Sequence, residues 1–440
     1  MTKLPRWLQG LENPVFARLY LAQTINLMGD ALTWLGLALL AFELAGEQSG
    51  TILAGALTLR VTAFVLLSPI AGAIADRMDR KRLMVLNHLM RMGIVCLLPW
   101  VTQIWQIYAI VLALNIFYAI FTPTYTATIP LVTTEQQRPQ AIALSSATSQ
   151  LLGVLGPGIA GSIAAWVGTR QVFFLDSITF LLAAILMITL PGRMMVNAQS
   201  STQTPSKIWQ DMQTGLTCLW LDPWIRYALA LQFIAAIAGA QILVNTVGYV
   251  QSTLQLGKTE YGWAMAALGM GATLASIGLG HFRTKYHPIS LITLGTLLLV
   301  LALLPAHEVL LGGLLLLWGI AGIGQTLVNV TTQTVIADRV AVEVQGRVYG
   351  AHFALSHLWW AFAYPVAGWM GSSLASYFFY SSLFGLGLFV MVCAIFRPHQ
   401  LMQLKRGLWH EHDHDHSDPS HHHHAYSATQ HTHLHFHPAP

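Results

Sequence analysis

Apolar stretches of about 17 to 28 residues recur along the chain, broken by short polar or turn-forming segments. They fall at about 15–41, 51–75, 83–101, 106–129, 141–167 and 172–191, then 223–250, 260–281, 289–305, 309–335, 349–370 and 375–396. About twenty apolar residues cross the hydrocarbon core as a helix, so the pattern predicts an all-α polytopic membrane protein with twelve transmembrane helices. The longest internal polar stretch, 192–222, divides them six and six. The expected organisation is therefore a six-helix bundle over 1–191, a central loop over 192–222, a second bundle over 223–397 and a tail over 398–440.

Composition agrees. Of the 440 residues 55% are apolar and 9% are Asp, Glu, Lys or Arg, against about 25% charged in a soluble chain. A soluble enzyme, a nucleic-acid binder and a disordered scaffold are excluded. The net charge of +4 says little; its placement says more. Eighteen of the 22 Lys and Arg lie at the N-terminus, in the loops after even-numbered spans, or at the C-terminal end, which predicts that both termini and the central loop are cytoplasmic. Three scattered cysteines (Cys96, Cys218, Cys393) suggest neither a disulfide framework nor a thiolate metal site. The N-terminus is polar and basic and reads as having no cleavable signal, and no phosphate-binding Gly-x-x-x-x-Gly-Lys-Ser/Thr sequence is present to supply an ATP engine.

The halves repeat. Pro14 and Gln23 recur 209 positions later as Pro223 and Gln232; Glu135, Gln137 and Pro157 recur 208 positions later as Glu343, Gln345 and Pro365. Two parallel six-span bundles place a substrate site between them near the midplane.

Three motifs carry a family resemblance. Gly72-Ala-Ile-Ala-Asp76-Arg77-Met-Asp79-Arg80-Lys81-Arg82 follows the second span and resembles the signature loop of the major facilitator superfamily, with Asp79 where that family has a second glycine. Gly280-His-Phe-Arg283-Thr-Lys285 is a degenerate copy in the second half. Gly153-Val-Leu-Gly156-Pro157-Gly158-Ile-Ala-Gly161 in the fifth span resembles the glycine-proline motif of that family's exporter branch, and Asn26-Leu-Met-Gly29-Asp30 resembles macrolide and siderophore exporters. The resemblance implies a secondary exporter driven by proton antiport, with Gly72, Asp76, Arg77, Arg80, Lys81, Gly156, Pro157 and Gly161 serving the conformational change.

Composition changes abruptly at His410: twelve of the 19 histidines lie in the last 31 residues, at 410, 412, 414, 416, 421–424, 431, 433, 435 and 437, among Glu411, Asp413, Asp415 and Asp418. The tail is expected to be disordered without ligand, and His410, His412, His414, His416, His421, His422, His423, His424, His431, His433, His435 and His437 to form shifting ligand sets for a late transition metal. Histidine titrates near neutrality, so a pH-responsive tail is a further reading. With the exporter motifs, the tail resembles that of bacterial histidine-tailed nickel-resistance exporters; nickel, with cobalt next, is implied by that resemblance and not by composition.

Ionisable groups within spans are costly and are functional candidates by default. Asp30 is the expected proton or cation carrier, with Asn26 one turn earlier on the same face. Arg60 is read either as its counter-charge or as a residue that orders helix packing; Arg91 and His88 are read as structural, and Asp176 as a cap or a group facing water. His352 and His357 diverge by about 140° on a helix and do not pair as metal ligands. Asn115, Gln241, Asn245, Gln325 and Asn329 either present oxygens to a passing cation or satisfy one another. The leading expectation is a monomeric nickel or cobalt exporter of the bacterial plasma membrane, with the metal ion, protons and the bilayer as partners, no nucleic acid and no resident cofactor. An exporter of a drug or siderophore-type compound with a regulatory tail, and a membrane metal buffer or sensor, are the alternatives.

Overall fold

The computed structural model describes residues 11–134, 137–192, 205–402, 407–415 and 430–438. Twelve helices correspond to the twelve expected spans. The first half holds α1 (Pro14–Ala45), α2 (Ser49–Arg77), α3 (Arg80–Val95), α4 (Ile104–Val132), α5 (Arg138–Val167) and α6 (Gln171–Ile188). After α7 (Pro205–Leu221) come α8 (Pro223–Gly248), α9 (Lys258–Lys285), α10 (Pro288–Leu303), α11 (Leu311–Arg339), α12 (Val342–Ser373) and α13 (Tyr377–Phe396), with a short α14 (Pro398–Leu401). An even number of crossings puts the start of α1 and the end of α13 at one end of the bundle, here the basic end; the opposite one is the far end.

The internal repeat extends to helix boundaries. α1 and α8 each begin at a proline, Pro14 and Pro223, where the missing N–H would be unpaired in any case. The preceding residue caps each: Asn13 Oδ1 accepts from the amides of Val15 and Phe16, and Asp222 Oδ1 from those of Trp224 and Ile225. Each cap also reaches the last turn of its half's fourth helix. Asn13 donates to the Val132 carbonyl, whereas Asp222 forms a fully buried ion pair with Arg339.

The start of α3 settles a point the sequence leaves open, and the central segment and the tail depart from the expectations. Asp79, in the place of a glycine, is the N-cap of α3: its side chain accepts from the Arg82 amide at 3.0 Å, so a carboxylate-capped start replaces a glycine turn. The central polar segment, read as loop, contains α7, whose Cys218 and Leu219 are buried while Trp220 and Leu221 are exposed. Gly215 admits the backbone of α12, where a Cβ would overlap the Arg347 carbonyl.

The tail, expected to lack regular structure, forms an antiparallel ribbon of β1 (Gly407–Asp415) and β2 (Gln430–Pro438), with β1 against α11 and α12. The reason is a period of two hidden within the biased composition. Positions 410, 412 and 414, and 431, 433, 435 and 437, alternate as strand residues do. The register sets His410 opposite His435, His412 opposite His433 and His414 opposite His431, which brings seven histidine positions to one face. His416 and His421 to His424 lie outside the described residues.

Candidate functional site

The close approaches between the halves lie at the far end and in the middle. On α5, a Cβ at Gly161 would overlap the Cα of Gly262 on α9, and one at Gly158 would overlap Ala266. On α12, a Cβ at Gly368 would lie 2.6 Å from that of Ala54 on α2. Nearer the middle, Phe64 of α2 meets Phe353 and His357 of α12 at ring-centroid distances of 5.5 and 5.8 Å. Small residues thus let the backbones touch at the far end. Gly156 belongs to the same run on another face, packing on Ala31 of α1, where a Cβ would lie 2.7 Å from the alanine methyl.

Between the halves lie two adjoining cavities of about 680 and 710 Å³ that share Arg60, Tyr118, Thr122 and Tyr364. The first reaches Ile129 and Ile142, close to the basic ends of α4 and α5; the second reaches Gln333 and Tyr349, near those of α11 and α12. With contact at the far end and space toward the basic end, the site is arranged for access from the basic end.

Asp30 lines the first cavity. Its partner is Arg91 of α3, not Arg60: the Arg91 guanidinium makes a short ion pair with Asp30 Oδ1 and donates to Asn26 Oδ1 at 3.2 Å. Asn26 in turn donates to Asp30 Oδ2 at 3.4 Å. Phe180 lies under the guanidinium, 4.3 Å from its ring centroid. Sequence alone reads Arg91 as structural because its partner is 61 positions away and no local spacing joins them. Asp176, expected to cap or face water, is fully buried in α6. It accepts hydrogen bonds from Thr33 and from Thr179, the latter at 2.9 Å. Gly29 explains how it fits, since a Cβ there would overlap Asp176 Oδ1 and Thr179 Oγ1. A small cavity of about 20 Å³ joins Asp30, Arg60, Arg91, Asn115 and Asp176. Asn115 itself donates to the Val111 carbonyl of its own helix at 2.7 Å.

The second half presents neutral groups. His352 is 2.9 Å from Gln232 Oε1, so its Nε2 is the donor, and Gln232 donates to Asn329 Oδ1 at 3.2 Å. All three line the second cavity, as does His357, which bonds instead to the Phe353 carbonyl of its own helix. The expected site omits Gln232, yet the repeat pairing it with Gln23, which lines the first cavity, holds the signal. Gln241 and Asn245 lie elsewhere: Asn245 donates to Gln241 Oε1 at 2.7 Å and to the Ala367 carbonyl at 2.9 Å, holding α8 against α12. Gln325 is half-buried, with its Oε1 buried beside Gly239, whose missing side chain leaves it room. Among the described residues no three His, Cys, Asp or Glu side chains come together as metal ligands.

Of the signature loop, the backbone places Gly72, Asp76 and Arg77 in the last turns of α2, and Pro157 lies inside α5. Arg80 begins α3 and is buried, and Lys81 donates to the Leu190 carbonyl at the end of α6.

The sequence model of the Major Facilitator Superfamily matches residues 19–245 and again 229–414. An uncharacterised MFS-type transporter, YfiS of Bacillus subtilis (strain 168), is 28% identical over 394 residues, covering 83% of this chain and 91% of that protein. Among solved structures, a bacterial homologue of the human lysosomal transporter Spinster, in an inward-facing and unoccupied conformation, superposes with a TM-score of 0.65 at 15% identity. That match covers 88% of this chain and 97% of the other. A point mutant of the nucleoside transporter NupG gives 0.64 at 14% identity, covering 87% and 99%. At such identities the two structures establish the fold.

Proposed function

The chain belongs to the major facilitator superfamily, and from that premise we propose that it exports a divalent transition metal, nickel first and cobalt next, in exchange for protons. The bacterial plasma membrane is its proposed location, with both termini cytoplasmic, so that the cavities face the cytoplasm in this conformation. The observation that carries the metal reading is the register of the tail ribbon, which sets three histidine pairs directly opposite one another. Imidazole in such density suits nickel, cobalt, copper and zinc, and opposed strand positions about 5 Å apart allow two rings to share one ion. Nickel over the others rests on the likeness to histidine-tailed resistance exporters.

Asp30 and Arg91 are the proposed coupling pair. A proton on Asp30 neutralises the carboxylate and leaves the Arg91 charge uncompensated in a poorly hydrated site, which favours a different arrangement of α1 against α3. Rocking of one half against the other then exchanges the open end. Inside-out vesicles with an imposed proton gradient provide the test. Gradient-dependent uptake of labelled nickel, collapsed by an uncoupler and competed by cobalt, is expected; no uptake by vesicles shown to contain oriented protein, whether the nickel is supplied free or chelated, rejects the proposal.

A second reading, export of an organic compound with the tail as metal-responsive regulator, is favoured by the cavity itself. Its volume of about 680 Å³ and its aromatic lining match sites for organic ligands. Deleting 407–440 separates the two readings, since tail loss shifts metal tolerance under the first and alters no metal efflux under the second.

A further inference from the structure

Arg60 stands where the two halves meet and lines all three cavities. Its guanidinium lies over the Trp34 ring at 4.3 Å and 5.9 Å from that of Tyr118. The aromatic seat holds the charge in place without neutralising it. Two arginines buried within the bundles are matched by acids, Arg91 by Asp30 and Arg339 by Asp222. Among the described residues no carboxylate lies within ion-pair distance of Arg60. Asp30, the acid that shares its cavity, is already bound to Arg91 and Asn26.

A bare divalent cation would therefore meet a fixed positive charge on the wall that both large cavities share, and an acid already occupied. The volumes, about 680 and 710 Å³, also far exceed what an ion requires. Arginine presents a planar fork of donors that matches a carboxylate in two-point contact. The neutral relay opposite, His352, Gln232 and Asn329, offers polar atoms to the rest of such a ligand.

We propose that Arg60 is the recognition point for a carboxylate of the transported species, and that the metal crosses as an anionic complex with a small organic polycarboxylate. This inference rests on the export reading above and names the form of its substrate. Metal gathered on the tail histidines would pass to the chelator before entering the cavity.

The test uses inside-out vesicles containing the full chain, a proton gradient, and two labels, ⁶³Ni and ¹⁴C-citrate. Nickel is supplied either without chelator or with citrate in excess. The expected result is entry of both labels in a fixed ratio. Arg60→Gln should lower the initial rate about tenfold or more, as loss of a charge-assisted contact does. Arg60→Lys should recover part of it, keeping the charge but not the fork. The fixed ratio is read on the unmodified protein and does not depend on either variant folding. Faster entry of nickel without citrate, indifferent to Arg60→Gln, overturns the inference and leaves metal export standing. Entry of citrate alone upholds the carboxylate site and overturns the metal reading. Entry of neither label overturns both.

Discussion

Arg91 shows how one side chain sets the chemistry of a membrane interior. Its charge is buried among Phe180, Tyr118 and two helices, and Asp30 makes that burial tolerable. Removing one partner of a buried pair costs about 3–5 kcal/mol, because the other charge is left stranded. Arg91→Leu should therefore lower the thermal midpoint of the purified protein sharply, as followed by tryptophan fluorescence. Asp30→Asn keeps a hydrogen-bonding group against Arg91 and should fold, yet its transport should no longer respond to the proton gradient. Equal transport by Asp30→Asn at every gradient would sink the coupling assignment. Asp222 and Arg339 give a contrast at the basic end. Asn occupies the equivalent cap in the first half, so Asp222→Asn should preserve the α8 start and be milder than Arg339→Leu, which strands the acid. Comparing the two midpoints checks this ordering.

At the scale of elements, the glycine run of α5 acts as a far-end seam. Gly158 and Gly161 have no room for a side chain because α9 occupies the space one would need. Gly161→Val should force α5 and α9 apart and disfavour the conformation described here. Thr126 and Gln333 line the cavities on α4 and α11, at matching positions of the two halves. Spin labels there should report a shorter mean distance in Gly161→Val than in the parent as the basic end closes. An unchanged distance distribution would mean that the seam does not hold the state. The helices themselves are legible in the sequence, since the bilayer leaves an apolar segment few options other than a helix of crossing length. α7 is less so: its mixed polar and apolar pattern becomes intelligible only once its packing against α12, at Gly215, is known.

Across the whole molecule, duplication supplies the frame and divergence supplies the site. Caps, prolines and helix lengths repeat between the halves, while the charged cluster sits in the first half and neutral polar groups in the second. Gly239 stands 209 positions after Asp30, so the repeat offset that relates Pro14 to Pro223 puts a glycine in place of that acid. Among the described residues, the charged groups lining the cavities thus come from the first half. The tail is an addition to this frame. Deleting 407–440 removes only the contact of β1 with α11 and α12, so it should lower the thermal midpoint little; it should also remove most of the nickel bound per chain, measured by equilibrium dialysis with a colorimetric assay. Retained nickel stoichiometry in the truncated protein would place the metal sites within the bundles instead.

The sequence by itself determined the number of crossings, the division into halves, the repeat and the histidine content of the tail. Each follows from a local or periodic property: about twenty apolar residues, a proline at a helix start, a recurrent offset. It also named Asp30, because an acid in a span is conspicuous wherever it falls. Tertiary structure alone decided that Arg91 and not Arg60 neutralises Asp30, that Asp176 is buried behind Gly29, and that Gln232 joins His352 to Asn329. Those pairings span 61 to 147 positions, and any of several side chains of the right type satisfies the sequence equally well. Only packing brings particular atoms within hydrogen-bonding distance, and in a low-dielectric interior that distance decides which charges are spent and which remain to meet a substrate.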